Sequence, residues 1–239
     1  MGPKIVRHSP TVRVVHWAVA LSTVALIFSG FGQMPMYKRY GVAQLPGLGW
    51  SGDFGTTLFI HYLAGMVLAV GVAYHLVFHG LRREFGLLPK RGDVRGSYVF
   101  IKAIFGLGPE PSADKFLPEQ RLAYAFIGGN LLVVGITGLL KVAKNLPGVD
   151  FPSGLLLWAT NLHTLSALLL VIGITAHLAA FAFRANRPLL ESMFTGRVRL
   201  DYVRHRHPLW YRTLFAGSPR DAEDGSPCGG EVSWTGKCP

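Results

Sequence analysis

Residues 54 to 81 read FGTTLFIHYLAGMVLAVGVAYHLVFHGL, without one Asp, Glu, Lys or Arg among them. At 1.5 Å rise per residue, a helix of this length reaches about 42 Å, more than the roughly 30 Å of a bilayer's hydrocarbon core. The stretch is too long for a strand of a soluble sheet, and it lacks the apolar–polar alternation of a membrane barrel. It therefore reads as a helix that crosses a membrane.

Three more stretches meet the same test: 14 to 37, 122 to 140 and 151 to 183 are all free of charge. Half of the 239 residues are hydrophobic and only 15% are charged, and the mean hydropathy is +0.33. A soluble domain carries about 25% charged residues. The expected fold is an all-α integral membrane four-helix bundle, with spans at about 14–33, 57–80, 122–141 and 155–183. One domain covers 1–216. The tail 217–239 is rich in Gly, Ser, Pro and Asp, and is expected to be held by a partner or poorly ordered. The first stretch follows Lys4, Arg7 and Arg13, as a secretory signal would. Its apolar run is long for a signal and no small-x-small cleavage site follows, so it reads as a retained span.

Charge sets the expected orientation. The N-terminal segment, the 82–121 connection and the segment from Arg184 onward hold 3, 8 and 9 Lys/Arg; the other two connections together hold 4. The positive-inside rule places the first group, and both termini, in the cytoplasm. The net charge of +11 is accounted for in this way, and no nucleic-acid-binding motif accompanies it. Residues 96–107 are apolar apart from Lys102 and read as an interfacial helix on the cytoplasmic face. Cys228 and Cys238 are the only cysteines. There is no C-x-x-C-H for covalent haem attachment and no four-cysteine pattern for an iron–sulfur cluster. Cytoplasmic placement argues against a stable disulfide between the two.

Five of nine histidines fall inside the spans: His16, His61, His75, His163 and His177. Ionisable groups in hydrocarbon are costly and usually mark function. His61 and His75 are 14 residues apart, and so are His163 and His177. Fourteen helical residues rise about 21 Å and return to within about 40° of the same face. Each of these spans thus offers two imidazoles on one side at two depths. Two such spans side by side make a ladder with two rungs, and a b-type haem iron between two neutral imidazoles suits each rung. The second and fourth spans both run inward, so His61 and His163 form the outer level. His16, His75 and His177 share the inner level, and spacing alone does not choose between His16 and His75. The spans hold no Asp or Glu away from their margins, which argues against a zinc or di-iron centre. Gly65, Gly128, Gly129, Gly135 and Gly138 suit either a bulky cofactor or close helix packing.

Several short motifs recur in a known order. They are R-V-V-H-W at 13–17 followed by Ser29-Gly30, K-F-L-P-E-Q-R-L-A-Y at 115–124 leading to Thr137-Gly138, S-M-F-T-G-R-V at 192–198, and H-R-H-P-L-W-Y at 205–211. In these, from about Arg7 to Tyr211, the chain resembles the di-haem cytochrome b (gamma) subunits of membrane-bound formate dehydrogenases, relatives of the cytochrome b subunits of nickel-iron hydrogenases and thiosulfate reductases. The resemblance implies that His16 and His177 bind the inner haem b and His61 and His163 the outer one. His75 is then an alternative inner ligand or part of a quinone pocket, and His79 is interfacial. It also implies quinone reduction near the inner haem, with Lys115 and Gln120 as pocket candidates. Leu117 stands where that family usually has an asparagine, and Glu119 where a small residue is common.

The expected function is a membrane-anchoring electron-transfer subunit in a bacterial cytoplasmic membrane. It would pass electrons through two b haems between a partner iron–sulfur subunit, itself attached to a catalytic subunit, and menaquinone or ubiquinone. A free-standing cytochrome b quinone oxidoreductase that oxidises a small reductant without a partner, and a haem-free transporter or scaffold, are the competing expectations. The long basic segments favour docking to a partner, and no inverted repeat of broken helices supports a transporter.

Overall fold

The computed structural model describes residues 2–216; the tail 217–239, with Cys228 and Cys238, lies outside them. Four helices are long and apolar enough to cross a membrane: α1 (Pro10–Gly32), α3 (Phe54–Arg82), α5 (Pro118–Ala143) and α6 (Ser153–Ala179). Shorter helices are α2 (Pro35–Arg39), α4 (Asp93–Ile104), α7 (Arg187–Thr195), α8 (Leu200–Arg206) and α9 (Pro208–Phe215). Two three-residue strands, β1 (Lys4–Val6) and β2 (Arg197–Arg199), complete the described elements apart from short 3-10 turns. The chain is thus an all-α membrane protein, as expected.

The helix ends follow local chemistry. Pro10, Pro35, Pro118 and Pro208 begin helices, where a missing N–H does no harm. The Asp53 carboxylate caps α3 by accepting from the Thr56 N–H at 2.7 Å. α1 and α5 both start four residues before the predicted spans, so their first turn carries the charged residues Arg13, Glu119 and Arg121. A hydropathy boundary marks where a helix enters hydrocarbon, not where its hydrogen bonds begin.

The chain divides into two compact units. One, Val14–Glu84 with Ile127–Gly173, holds the main body of all four long helices. Its burial pattern is the reverse of a soluble core. Ser22, Thr23, Ser29, Thr57, Thr137 and Ser166 are buried, while large apolar side chains such as Leu21, Trp158 and Val70, the last 70% exposed, point outward. Lipid is as apolar as leucine, so such faces need no protein cover, and small residues mediate helix contact instead. A Cβ on Gly71 of α3 would lie 2.9 Å from Val19 Cγ2 of α1, and one on Gly32 the same distance from Thr57 Cγ2. The hydroxyls of Ser22, Thr23, Ser29, Thr57 and Thr137 donate to the preceding turn, Thr23 Oγ1 to the Val19 carbonyl at 2.7 Å for example. Their protons are thereby satisfied away from water.

The other unit gathers Phe85–Phe126 with the described residues before Val14 and after Gly173. β1 and β2 pair antiparallel, with Ile5 opposite Val198. Gly196, at φ +78°, ends α7, and its carbonyl accepts from the Arg7 and His8 N–H groups at 2.8 and 3.1 Å. Ile5, Val198, Leu200, Val203, Trp210 and Phe215 form an apolar cluster. The buried Arg7 guanidinium donates to the Lys115 carbonyl at 2.7 Å and faces the Trp210 and Phe116 rings. Burial pushes its pKa down to about 10, with Tyr202 acting the other way, so it stays charged at neutral pH. His207 Nδ1 donates to the Asp114 carbonyl at 2.6 Å. Three segments far apart in sequence are therefore tied together, and they are the three basic segments that charge counting assigned to one side. The segment read as an interfacial helix is α4. Its Phe100 packs on Ala113 and Leu117, and the Asp93 carboxylate at its start takes a two-point ion pair from Arg121.

Candidate functional site

His61 lies about two turns into α3 and His163 nearly three turns into α6. Their ring centres are 6.3 Å apart with planes inclined by 56°. Two imidazoles facing each other across one metal ion, each bonded at about 2.0–2.1 Å, have ring centres about 6.5 Å apart. The pair therefore fits the coordination of a haem iron from both sides. No cluster of three or more His, Cys, Asp or Glu suited to a metal is found among the described residues.

Each ring is held from a neighbouring helix. His61 Nδ1 lies 2.9 Å from Ser29 Oγ of α1, and His163 Nδ1 lies 3.0 Å from Thr137 Oγ1 of α5. The residues that follow these hydroxyls are Gly30 and Gly138. A Cβ on Gly30 would lie 3.5 Å from His61 Cε1, and one on Gly138 3.4 Å from His163 Cε1. Helices α1 and α5 thus play the same part for α3 and α6. Residue reading treated Ser29 and Thr137 as landmarks of a motif and missed their contacts. The signal was present: the spans without a matched histidine pair each carry a hydroxyl residue followed by glycine. Lys141, near the end of α5, acts electrostatically on both imidazoles.

The other glycines divide. A Cβ on Gly65 would reach Leu26 Cδ2 at 3.9 Å, which is helix packing. One on Gly128, Gly129 or Gly135 would meet nothing within 4 Å, so helix contact does not explain these three.

The remaining histidines sit as follows. His16 is on α1, its ring edge-on to Trp17. His75 is on α3, with its ring centre 4.5 Å from that of His79. His79 Nδ1 is 3.0 Å from a carboxylate oxygen of Glu84, beyond the helix end. His177 closes α6 and packs against Phe181. Both 14-residue intervals run along unbroken helix, so the two depths inferred from spacing exist on α3 and on α6. Of the two quinone-pocket candidates, Gln120 turns its side-chain oxygen back to accept from the Leu117 N–H at 3.1 Å, which caps α5. Lys115 sends its ammonium over the Phe116 and Trp210 rings, 5.6 Å from each centre.

Comparison with known proteins bears on what this arrangement does. The family model described as prokaryotic cytochrome b561 matches residues 7–196. A candidate cytochrome of Escherichia coli (strain K12), YdhU, is 28% identical over 210 residues, which cover 86% of this chain and 76% of the relative. A candidate subunit of a protein-methionine-sulfoxide reductase from Azospira oryzae, YedZ1, is 26% identical over 140 residues, or 56% of this chain and 68% of the relative.

Proposed function

The chain belongs to the prokaryotic cytochrome b561 family, and from that premise we propose that it is the membrane-anchoring electron-transfer subunit of a bacterial oxidoreductase complex. Family membership makes it a multi-pass membrane cytochrome that takes haem b. The finer reading is our own. It has two b haems, the outer held by His61 and His163, the inner by His177 with His16, and His75 as the alternative to His16. The single observation that carries the outer site is the 6.3 Å separation of the His61 and His163 rings, while the inner site rests on histidine spacing and the formate dehydrogenase resemblance.

When bound, haem supplies a one-electron carrier in the low-dielectric layer. The residues of the chain do the rest. His61 and His163 would hold the metal, and Lys141, whose charge acts on both rings, would favour the reduced state there. The charge count places the inner level toward the cytoplasm. There Lys115 offers an ammonium to a quinone oxygen, and Gln120 keeps its amide nitrogen for the same purpose. The formate dehydrogenase resemblance supports a partner bearing iron–sulfur clusters on the outer side, joined to a catalytic subunit. The relative named for a methionine-sulfoxide reductase supports the reverse flow, from quinol to a terminal reductase. Both directions use the same path.

The test is to purify the full chain in mild detergent from its native membranes, reduce it with dithionite, and add a water-soluble menaquinone or ubiquinone analogue. Two haems per chain, re-oxidised by quinone, and an iron–sulfur protein that co-purifies are expected. His16→Ala and His75→Ala variants identify the inner ligand, since one of the two loses the inner haem. A colourless chain, or haem that quinone leaves reduced, overturns the proposal.

A further inference from the structure

Helices α1 and α5 present the same arrangement at the same offsets, each to one imidazole. On α1, Ser29 Oγ donates to the Ala25 carbonyl at 2.7 Å, has the Leu26 carbonyl at 3.3 Å, and lies 2.9 Å from His61 Nδ1. On α5, Thr137 Oγ1 donates to the Val133 carbonyl at 2.6 Å, has the Val134 carbonyl at 3.3 Å, and lies 3.0 Å from His163 Nδ1. Counting from the hydroxyl residue, the carbonyls come from four and three residues earlier in both helices. The glycine against the ring comes one residue later.

The directions of these bonds follow from proton counting. A hydroxyl has one proton, and here it points to the carbonyl one turn back. Its oxygen then offers only lone pairs to the ring. The neighbour of each Nδ1 is therefore an acceptor, so Nδ1 carries the ring proton. A neutral imidazole has one such proton, which leaves Nε2 as the atom with a free lone pair.

We infer that Ser29 and Thr137 are positioning residues for the His61/His163 pair: they fix the tautomer that offers Nε2 to iron, and they hold the potential of that haem down. The inference rests on the haem reading proposed above. An acceptor on Nδ1–H makes the imidazole a stronger electron donor, which favours ferric over ferrous iron. A carboxylate would do this more strongly, but as a charge in hydrocarbon it is costly to place. A hydroxyl tied to its own helix supplies the lone pair without net charge. The repeated offsets mean that both axial ligands are treated alike, so the two contributions act in the same direction.

The test is a redox titration of the purified full chain, followed by haem absorbance, for Thr137→Val, Thr137→Ser, Ser29→Ala and Ser29→Thr. Valine matches threonine in shape but has no acceptor. In Thr137→Val and Ser29→Ala the preference of the site for ferric over ferrous iron is expected to fall by up to tenfold. For a one-electron couple that raises the outer-haem potential by up to about 59 mV. Thr137→Ser and Ser29→Thr keep the hydroxyl and are expected to titrate close to the parent. Loss of the outer haem alone from the Val and Ala variants, with the inner haem kept, also supports the inference. Unchanged potentials in Thr137→Val and Ser29→Ala overturn it, as does a serine variant that shifts as far as valine, since packing is then the cause. The parent is measured first: if it shows no bis-imidazole haem, the haem reading has failed, and that result is distinct from a parent with normal haem and inert hydroxyls.

Discussion

Substitution at Gly138 separates the needs of the helix from the needs of the cofactor. In Gly138→Ala the new Cβ would rest 3.4 Å from His163 Cε1 and 3.8 Å from Nδ1, a close but tolerable contact. Alanine is favoured over glycine in a helix by about 0.8–1.0 kcal/mol, so the protein fold should be unharmed or slightly steadier. Gly138→Leu differs only beyond Cβ. Cε1 is bonded to Nε2, so a branched side chain growing along that edge covers the nitrogen that would bind iron. The expected loss of haem affinity resembles that of disturbing a metal ligand's support, about 10–100-fold, or about 1.4–2.7 kcal/mol. The assay is haem per chain by pyridine haemochrome, alongside thermal unfolding of the haem-stripped protein by circular dichroism. Gly138→Leu should lose about one of two haems while the stripped protein melts within a few degrees of the parent. A leucine variant with full haem content would refute the placement of iron at His163 Nε2.

Two further outcomes follow from packing and burial. Gly71→Ala drives a Cβ to 2.9 Å from the stiff Val19 side chain and should cost about 1–3 kcal/mol, while Val19→Ala in the same chain should restore most of it; thermal melts of the two single variants and the double variant measure the coupling. His207 is fully buried, and burial first, then Arg7, holds its pKa at about 4 against an ordinary 6.5. Between those values the unfolded chain takes up a proton that the folded chain refuses, so stability falls as pH drops from about 6.5 toward 4, by at most about 3 kcal/mol. His207→Gln should flatten that part of a melting-temperature profile, and a variant that still follows the parent curve would show that another group is responsible.

What the sequence made legible was set by chemistry that needs no folding partner. Charge-free spans became helices, and both 14-residue histidine intervals lie within single helices, α3 and α6. The three basic segments are tied into one unit by Arg7, His207 and the β1–β2 pair, a joining that the count of Lys and Arg did not itself reveal. The small sheet itself could not be read. Its strands are three residues long and pair Lys4–Val6 with Arg197–Arg199 from the far end of the described chain, and their pairing depends on Gly196 turning the chain toward the N-terminus. The hydroxyls of Ser29 and Thr137 were equally silent, because serine and threonine in a membrane helix usually do no more than bond to their own backbone. Only the arrival of a histidine ring from another helix gives them a second task. Gln120 shows the opposite case: a polar residue in the right motif spends its oxygen on capping a helix.

Low-temperature paramagnetic resonance of the oxidised, isolated chain, with haem quantified on the same sample, is the most direct check on the central claim. Two low-spin ferric signals of bis-imidazole type per chain are predicted, with one of them missing from His163→Ala. High-spin iron, a single signal in the parent, or a His163→Ala spectrum that matches the parent would contradict it.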